Sequence, residues 1–293
     1  MAEGNESGSS DGPFRRLYRD VPEALAAGSE RDPLVSVGGG RWVLALAVAS
    51  ALAGIGLFLS GGYHAGFASL NGLATTLPGW VWQWLTVLGD ERVAFALSLI
   101  FARSHPRVFW TLICAALVAV AYSRGLKPLI DAARPPLVLE PGSFQLIGHG
   151  HRRESFPSGH SVTAAVFYGV LIYYARRTPV RVLLSLILVL AGLSRVAVGV
   201  HWPVDVAAGL AGGLLAVLIG LRLARRAPWG SLDPGVHLAF VTAAVIVALG
   251  LFVDDGGYPA ATPLLWTVAA LGVASAVLGY VIRPTMAALR RRS

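Results

Sequence analysis

In SRVAVGVHWPVD, residues 194–205, a histidine stands four residues before an aspartate with a proline between them. Pro203 suits the first turn of a helix, so His201 falls just outside that helix and Asp205 within its first turn. A carboxylate at that spacing can accept a hydrogen bond from one ring nitrogen and leave the other aimed at a substrate, the base-plus-orienter arrangement of nucleophilic catalysis. Arg195, in the same stretch, adds a cation. In PSGH, residues 157–160, Ser158 is a candidate N-cap and Gly159 lets the backbone approach a ligand. Free N–H groups and the positive end of a helix would then face outward beside His160 as an oxyanion site. In KPLIDAARP, Lys127 and Arg134 are seven residues apart, nearly two helical turns, and share one face if the segment is helical.

Each stretch alone has a plainer reading. Lys127 and Arg134 fit interfacial anchors that snorkel, PSGH an ordinary capped helix start, and His201 with Asp205 a structural cap. Taken together they hold three cations, an anion cradle, two histidines and an aspartate. Those are the parts of a phosphoryl-transfer site: charge neutralisation, a nucleophile and an acid for the leaving oxygen.

The elements that must position these residues are apolar runs. The chain has 293 residues, 55% hydrophobic and 14% charged, with a mean hydropathy of +0.63, a balance that reads as an integral membrane protein. Eight runs are candidate spans: 42–60, 91–104, 107–123, 160–175, 180–199, 204–223, 236–253 and 262–282. The segment 79–89, with three tryptophans, reads as lying in the interface. Residues 1–40 are polar and read as a disordered cytoplasmic tail without a cleavable signal peptide. With the N-terminus in the cytoplasm, 17 of the 24 Lys and Arg fall inside, as the positive-inside rule requires. The other seven are Arg92, Arg124, Lys127, Arg134, Arg152, Arg153 and Arg195, and all but Arg92 belong to or flank the three stretches. Helix parity puts all three stretches on that same outer side. The net charge of +8 would suggest nucleic acid in a soluble protein, but here its distribution across the membrane matters more than its sum. The single cysteine, Cys114, lies within an apolar run and excludes a disulfide framework or a cysteine-based metal site.

The residues KxxxxxxRP at Lys127 to Pro135, PSGH at Pro157 to His160 and SRxxxxxHxxxD at Ser194 to Asp205 resemble the three-part signature of the type 2 phosphatidic acid phosphatase superfamily. All three parts stand in the family's order, with no departure at a signature position. The resemblance implies an all-α polytopic membrane helix bundle: a six-helix core over 41–226, then two additional C-terminal transmembrane helices and a basic tail over 227–293. It implies that His201 attacks phosphorus to form a phosphohistidine, that Asp205 orients His201, and that His160 protonates the leaving oxygen. Lys127, Arg134, Arg195, Ser158 and Gly159 would hold the phosphoryl oxygens, with no metal and no cofactor. The implied substrate is a lipid phosphomonoester or diphosphate, such as undecaprenyl pyrophosphate, phosphatidate, phosphatidylglycerol phosphate or lipid A. It would be hydrolysed at the extracytoplasmic face of the plasma (inner) membrane, both termini being cytoplasmic.

Immediately before PSGH runs HGHRRE, and Arg152 and Arg153 are expected either to bind a second phosphate or an anionic headgroup, or to contact anionic lipid. His149 and His151 lack an acidic partner at ligand spacing and make a poor metal site. Asp254 and Asp255, between the last two runs, read as a solvated turn. Competing expectations are a lipid phosphotransferase or lipid A phosphatase using the same site, and a non-catalytic lipid-binding or transport protein. Membrane lipids are the other expected partners, nucleic acid is not, and no residue pattern specifies an oligomeric state.

Overall fold

The computed structural model of the chain describes residues 13–150 and 152–290, and among these the regular structure is helical throughout. An amphipathic α1 (Pro13–Arg31) precedes the long apolar α2 (Gly39–Gly61). The short helices α3 (Phe67–Ala74), α4 (Gly79–Val87) and α5 (Glu91–Leu99) follow. Next come α6 (Pro106–Ile130), the single turn α7 (Pro135–Val138), α8 (Gly159–Tyr174), α9 (Thr178–Ala197) and α10 (Pro203–Arg226). A short α11 (Trp229–Leu232) leads to α12 (Pro234–Leu249), α13 (Thr262–Val277) and α14 (Arg283–Arg290).

Among the described residues, six segments are long and apolar enough to cross a membrane: Gly39–Gly61, Pro106–Val138, Thr178–Ala197, Pro203–Arg226, Pro234–Phe252 and Pro259–Met286. The chain is therefore a multi-pass helical membrane protein. Two of the expected runs are shorter as helices. Residues 160–175 form the 16-residue α8, buried among its neighbours, and 91–104 gives only the nine-residue α5 before the chain turns into α6 at Pro106.

The expectation of a disordered tail over residues 1–40 is corrected for residues 13–31, which are helical. Val21 and Leu25 of α1 are buried in the core that α5, α6, α12 and α13 share, and Asp20 pairs with Arg103 at 3.0 Å. Low average hydropathy hid a narrow apolar stripe that needed a tertiary partner. Residues 1–12 lie outside the described residues.

At the centre α10 packs against α2, α6 and α8, closely enough that glycine is required. A Cβ on Gly209 would stand 2.7 Å from the Ser158 carbonyl oxygen, so this glycine lets α10 press its first turns against the start of α8. A second core joins α5 to the C-terminal pair α12 and α13.

Candidate active site

The three motifs meet at one end of the bundle, where α6 and α9 end and α8 and α10 begin. After α9 the chain reverses at Gly199, whose φ of 80° and close approach to the Gln145 carbonyl admit only glycine. Val200 and His201 N–H donate to the Arg195 carbonyl (3.2 and 3.3 Å), and Pro203 opens α10. Backbone bonds then join the motifs: Ser158 N–H to Asp205 O (3.1 Å), Ser155 N–H to Ala132 O (2.9 Å) and Arg134 N–H to Arg152 O (2.9 Å). The Trp202 indole N–H closes the set by donating to Ala133 O at 2.8 Å.

Asp205 is fully buried and collects donors on both oxygens. Oδ2 accepts from the Ser155 hydroxyl (2.5 Å) and the Trp202 backbone N–H (2.9 Å), while Oδ1 accepts from the Tyr63 hydroxyl. His201 Nδ1 lies 3.3 Å from Oδ2. A carboxylate can only accept, so the ring proton belongs on Nδ1 and the Nε2 lone pair faces away from the aspartate.

The cations gather around this pair by a route different from the expected one. α6 stops at Ile130, Asp131 takes a left-handed conformation (φ 38°), and Arg134 sits beyond the helix, so helical phase does not bring Lys127 and Arg134 together. Instead the Arg134 Nε donates to Arg153 O (2.8 Å) and Nη2 to Glu154 O (3.3 Å), which turns the guanidinium inward. Arg195 is 3% exposed, its Nη1 donating to Thr86 Oγ1 (2.6 Å) and the Tyr258 hydroxyl (2.9 Å). Ser158 is the N-cap of α8, its Oγ accepting from Ser161 N–H at 3.4 Å. Gly159 and His160 line a cavity of about 670 Å³ with Lys127, Arg124 and Arg92 and with the apolar side chains of Phe95, Ile113 and Phe167, whereas His201, Asp205, Arg134 and Arg195 are packed outside its lining. Arg152 and Arg153 are exposed outside this cavity. Arg153 pairs with Asp131 at 2.8 Å, and what both arginines contribute to the site is the backbone carbonyl that holds Arg134. His149 abuts Gly257 and His151 lies outside the described residues.

His201 sits among positive charges. Burial first, and then the charges of Arg134, Arg195 and Lys127, hold its pKa well below the ordinary imidazole value. The neutral ring persists through neutral pH, and acid protonates it only after the pH has fallen below the usual value near 6.5. We expect the acid limb of kcat/KM, corrected for the substrate's own ionisation, to lie below the ordinary imidazole value near 6.5; a limb at that value or above would contradict this electrostatic setting. The same shift makes the fold lose stability as pH falls below 6.5, because the unfolded chain takes up that proton first.

Several residues at this site carry no motif. Tyr63 and Ser155 orient Asp205, Thr86 and Tyr258 hold Arg195, and Arg92 pairs with Asp90 (2.8 Å) and with Asp254 (2.9 Å) rather than standing alone. Asp254 is thus an ion-pair partner as well as part of a turn. Ser155 lies only two residues before PSGH, the one sequence signal that could have marked it. Tyr63→Phe should lower thermal stability by about 1–3 kcal/mol, the cost of a buried acceptor losing its donor. It should slow turnover about tenfold through looser orientation of Asp205, measured by melting and steady-state rates in the same detergent.

By fold and site, then, the chain is a multi-pass helical membrane protein whose buried histidine–aspartate pair is ringed by arginine and lysine. Residues 108–229, which contain all three motifs, match the family model of the PAP2 superfamily. The chain is 40% identical over 103 residues to lipid A 1-phosphatase of Rhizobium etli, covering 34% of this chain and 44% of the relative. It is 39% identical over 102 residues to phosphatidylglycerophosphatase B of Bacillus subtilis, covering 31% and 45%. It is 31% identical over 144 residues to undecaprenyl-diphosphatase of Sulfolobus acidocaldarius, covering 48% and 65%. The chain spans a little under half the length of the first two relatives.

Proposed function

We propose that this protein is a lipid phosphatase that removes phosphate from a membrane-anchored phosphomonoester or diphosphate through a phosphohistidine. The observation that carries the reading is a buried His201–Asp205 pair among the charges of Arg134, Arg195 and Lys127, of which Lys127 also lines a cavity with His160 and a set of apolar side chains. A site for phosphate alone would need only the cations and the helix end; a neutral histidine held by a buried carboxylate is the additional equipment of covalent catalysis.

In the proposed reaction His201 Nε2 forms a bond to phosphorus as the bond to the leaving oxygen breaks, and His160 gives that oxygen a proton. Charge on the three equatorial oxygens is met by Lys127, Arg134 and Arg195 and by the N–H groups at the start of α8. Asp205 stabilises the imidazolium character that develops on His201. Water, deprotonated by His160, then attacks phosphorus, the nitrogen–phosphorus bond breaks, and inorganic phosphate leaves. The fixed cations do the charge neutralisation that a divalent ion does elsewhere.

The relatives' printed names share one chemistry, a phosphate or diphosphate on a lipid, and the apolar side chains lining the cavity suit the part of such a substrate next to its head. Basic residues support an extracytoplasmic site with cytoplasmic termini: Arg176, Arg177, Arg181, Arg225 and Arg226 lie at the ends of α8, α9 and α10 opposite the site. Arg152 and Arg153, outside the cavity, are placed for an anionic headgroup or the lipid surface, and replacing both by alanine should change diphosphate-over-monophosphate preference if they meet a second phosphate.

The test is phosphate release by the purified protein in detergent against a panel of lipid monophosphates and diphosphates with EDTA present. Release that survives chelation and ranks the panel is expected. A folded sample that releases nothing from any lipid would overturn the hydrolase reading.

A further inference from the structure

We infer that Tyr258, in the loop between α12 and α13, is a positioning residue for Arg195, so that the C-terminal helix pair beyond the PAP2 segment completes the anion site; this rests on the proposed function. Tyr258 is 5% exposed, and its hydroxyl oxygen accepts from Arg195 Nη1 at 2.9 Å, while the Arg195 guanidinium carbon stands 5.8 Å from the centre of its ring. The second acceptor on Nη1 is Thr86 Oγ1, from α4. Both protons of Nη1 are thereby committed to protein. The buried Nε–H has no partner among the described residues, which leaves that edge of the fork for a phosphoryl oxygen.

The loop that carries Tyr258 is itself bolted to the segments flanking the site. Arg92 Nη1 donates to the Asp254 carbonyl (3.0 Å) and carboxylate (2.9 Å), Ala260 N–H donates to Gln83 Oε1 (2.9 Å), and the Trp84 indole donates to Ala260 O (2.8 Å). Within the loop, Gly256 and Gly257 adopt positive φ and donate their N–H groups to Asp254 Oδ1 and Asp255 Oδ1, both at 2.8 Å. Gln83, Trp84 and Thr86 all lie on α4. One short helix and one loop therefore form a bracket that closes on Arg195 from the side facing α5 and the C-terminal pair.

An arginine side chain has many rotamers, and two fixed acceptors on one nitrogen select the rotamer before substrate arrives. That selection strengthens binding where charge on the phosphoryl group is most developed. Removing only the hydroxyl, with the ring and the helix pair intact, isolates this effect from packing.

The experiment is titration of orthovanadate, a trigonal-bipyramidal mimic of the transferring phosphoryl group, into the purified full-length protein by calorimetry, comparing wild type with Tyr258→Phe. We expect vanadate binding about tenfold weaker in the variant, kcat about tenfold lower and KM within about twofold, in a protein that stays folded with its melting midpoint lowered only by the loss of one buried acceptor. Thr86→Val should weaken vanadate similarly, and the double variant should lose less than the product of the two single effects, because both groups act on the same nitrogen. Equal vanadate binding by wild type and Tyr258→Phe overturns the inference. If wild type binds vanadate but releases no phosphate from any lipid, hydrolysis fails while the vanadate comparison still decides Tyr258. If wild type binds no vanadate, the anion site and the inference fall together.

Discussion

His201→Ala is expected to reduce lipid phosphate hydrolysis by about 10⁴-fold or more, the scale seen when the attacking group of a covalent mechanism is removed. His201 is the ring held against the buried Asp205, whereas His160 lines the cavity with Lys127. The fold should survive. The hydrogen bonds of the His201 ring are long, 3.3 Å to Asp205 and 3.4 Å to Ser155, and Asp205 keeps Ser155, Trp202 and Tyr63 as donors without it. Single-turnover phosphate release with EDTA reads the effect, and rapid acid-free quenching of wild type should trap a protein-bound phosphate that is stable in base and labile in acid. A His201→Ala protein turning over within about a hundredfold of wild type would remove His201 from the nucleophile's role.

Asp205→Asn should cost about 10³- to 10⁴-fold in kcat, as the comparable substitution does in hydrolytic triads. The amide oxygen can still accept from Trp202 and Ser155, so a folded protein is expected. What disappears is the one negative charge in contact with His201, in a region otherwise populated by Lys127, Arg134 and Arg195. Without it the positive charge that develops on the ring during attack is opposed by cations and unrelieved. Asp205→Ala separates charge from architecture: it strands the donors of Tyr63, Ser155 and Trp202 in a buried site, each at about 1–3 kcal/mol, and should fail to fold stably. Asn folded and inactive beside Ala unfolded is the expected pattern, read by melting curves and turnover together. An Asn variant with kcat within tenfold of wild type would show that the carboxylate's charge has no part in the chemistry.

The motif residues were legible because their chemistry depends on short spacings. His201 and Asp205 are one helical turn apart around a proline, and Ser158 and Gly159 start a helix wherever that helix lies; both arrangements survive into the structure as local geometry. The apolar runs were legible for a comparable reason, since each must satisfy its own backbone in lipid and therefore folds as a helix by itself. Lys127 and Arg134 mark the limit of local rules. Their seven-residue spacing suggested one helical face, whereas the helix ends between them and the Arg152, Arg153 and Glu154 carbonyls decide where Arg134 points.

Residue order by itself thus determined the helical class and the three motifs that meet at one end of the bundle and are proposed to carry the chemistry. Only the tertiary structure decided which groups hold them: Tyr63 and Ser155 on Asp205, Thr86 and Tyr258 on Arg195, and α1 as a docked helix instead of a free tail. Tyr63 is 142 residues from Asp205 and Tyr258 is 63 from Arg195. A hydrogen bond across such a distance has no period or spacing to announce it, because it exists only after α2, α4 and the C-terminal pair have packed their apolar faces against the rest of the bundle.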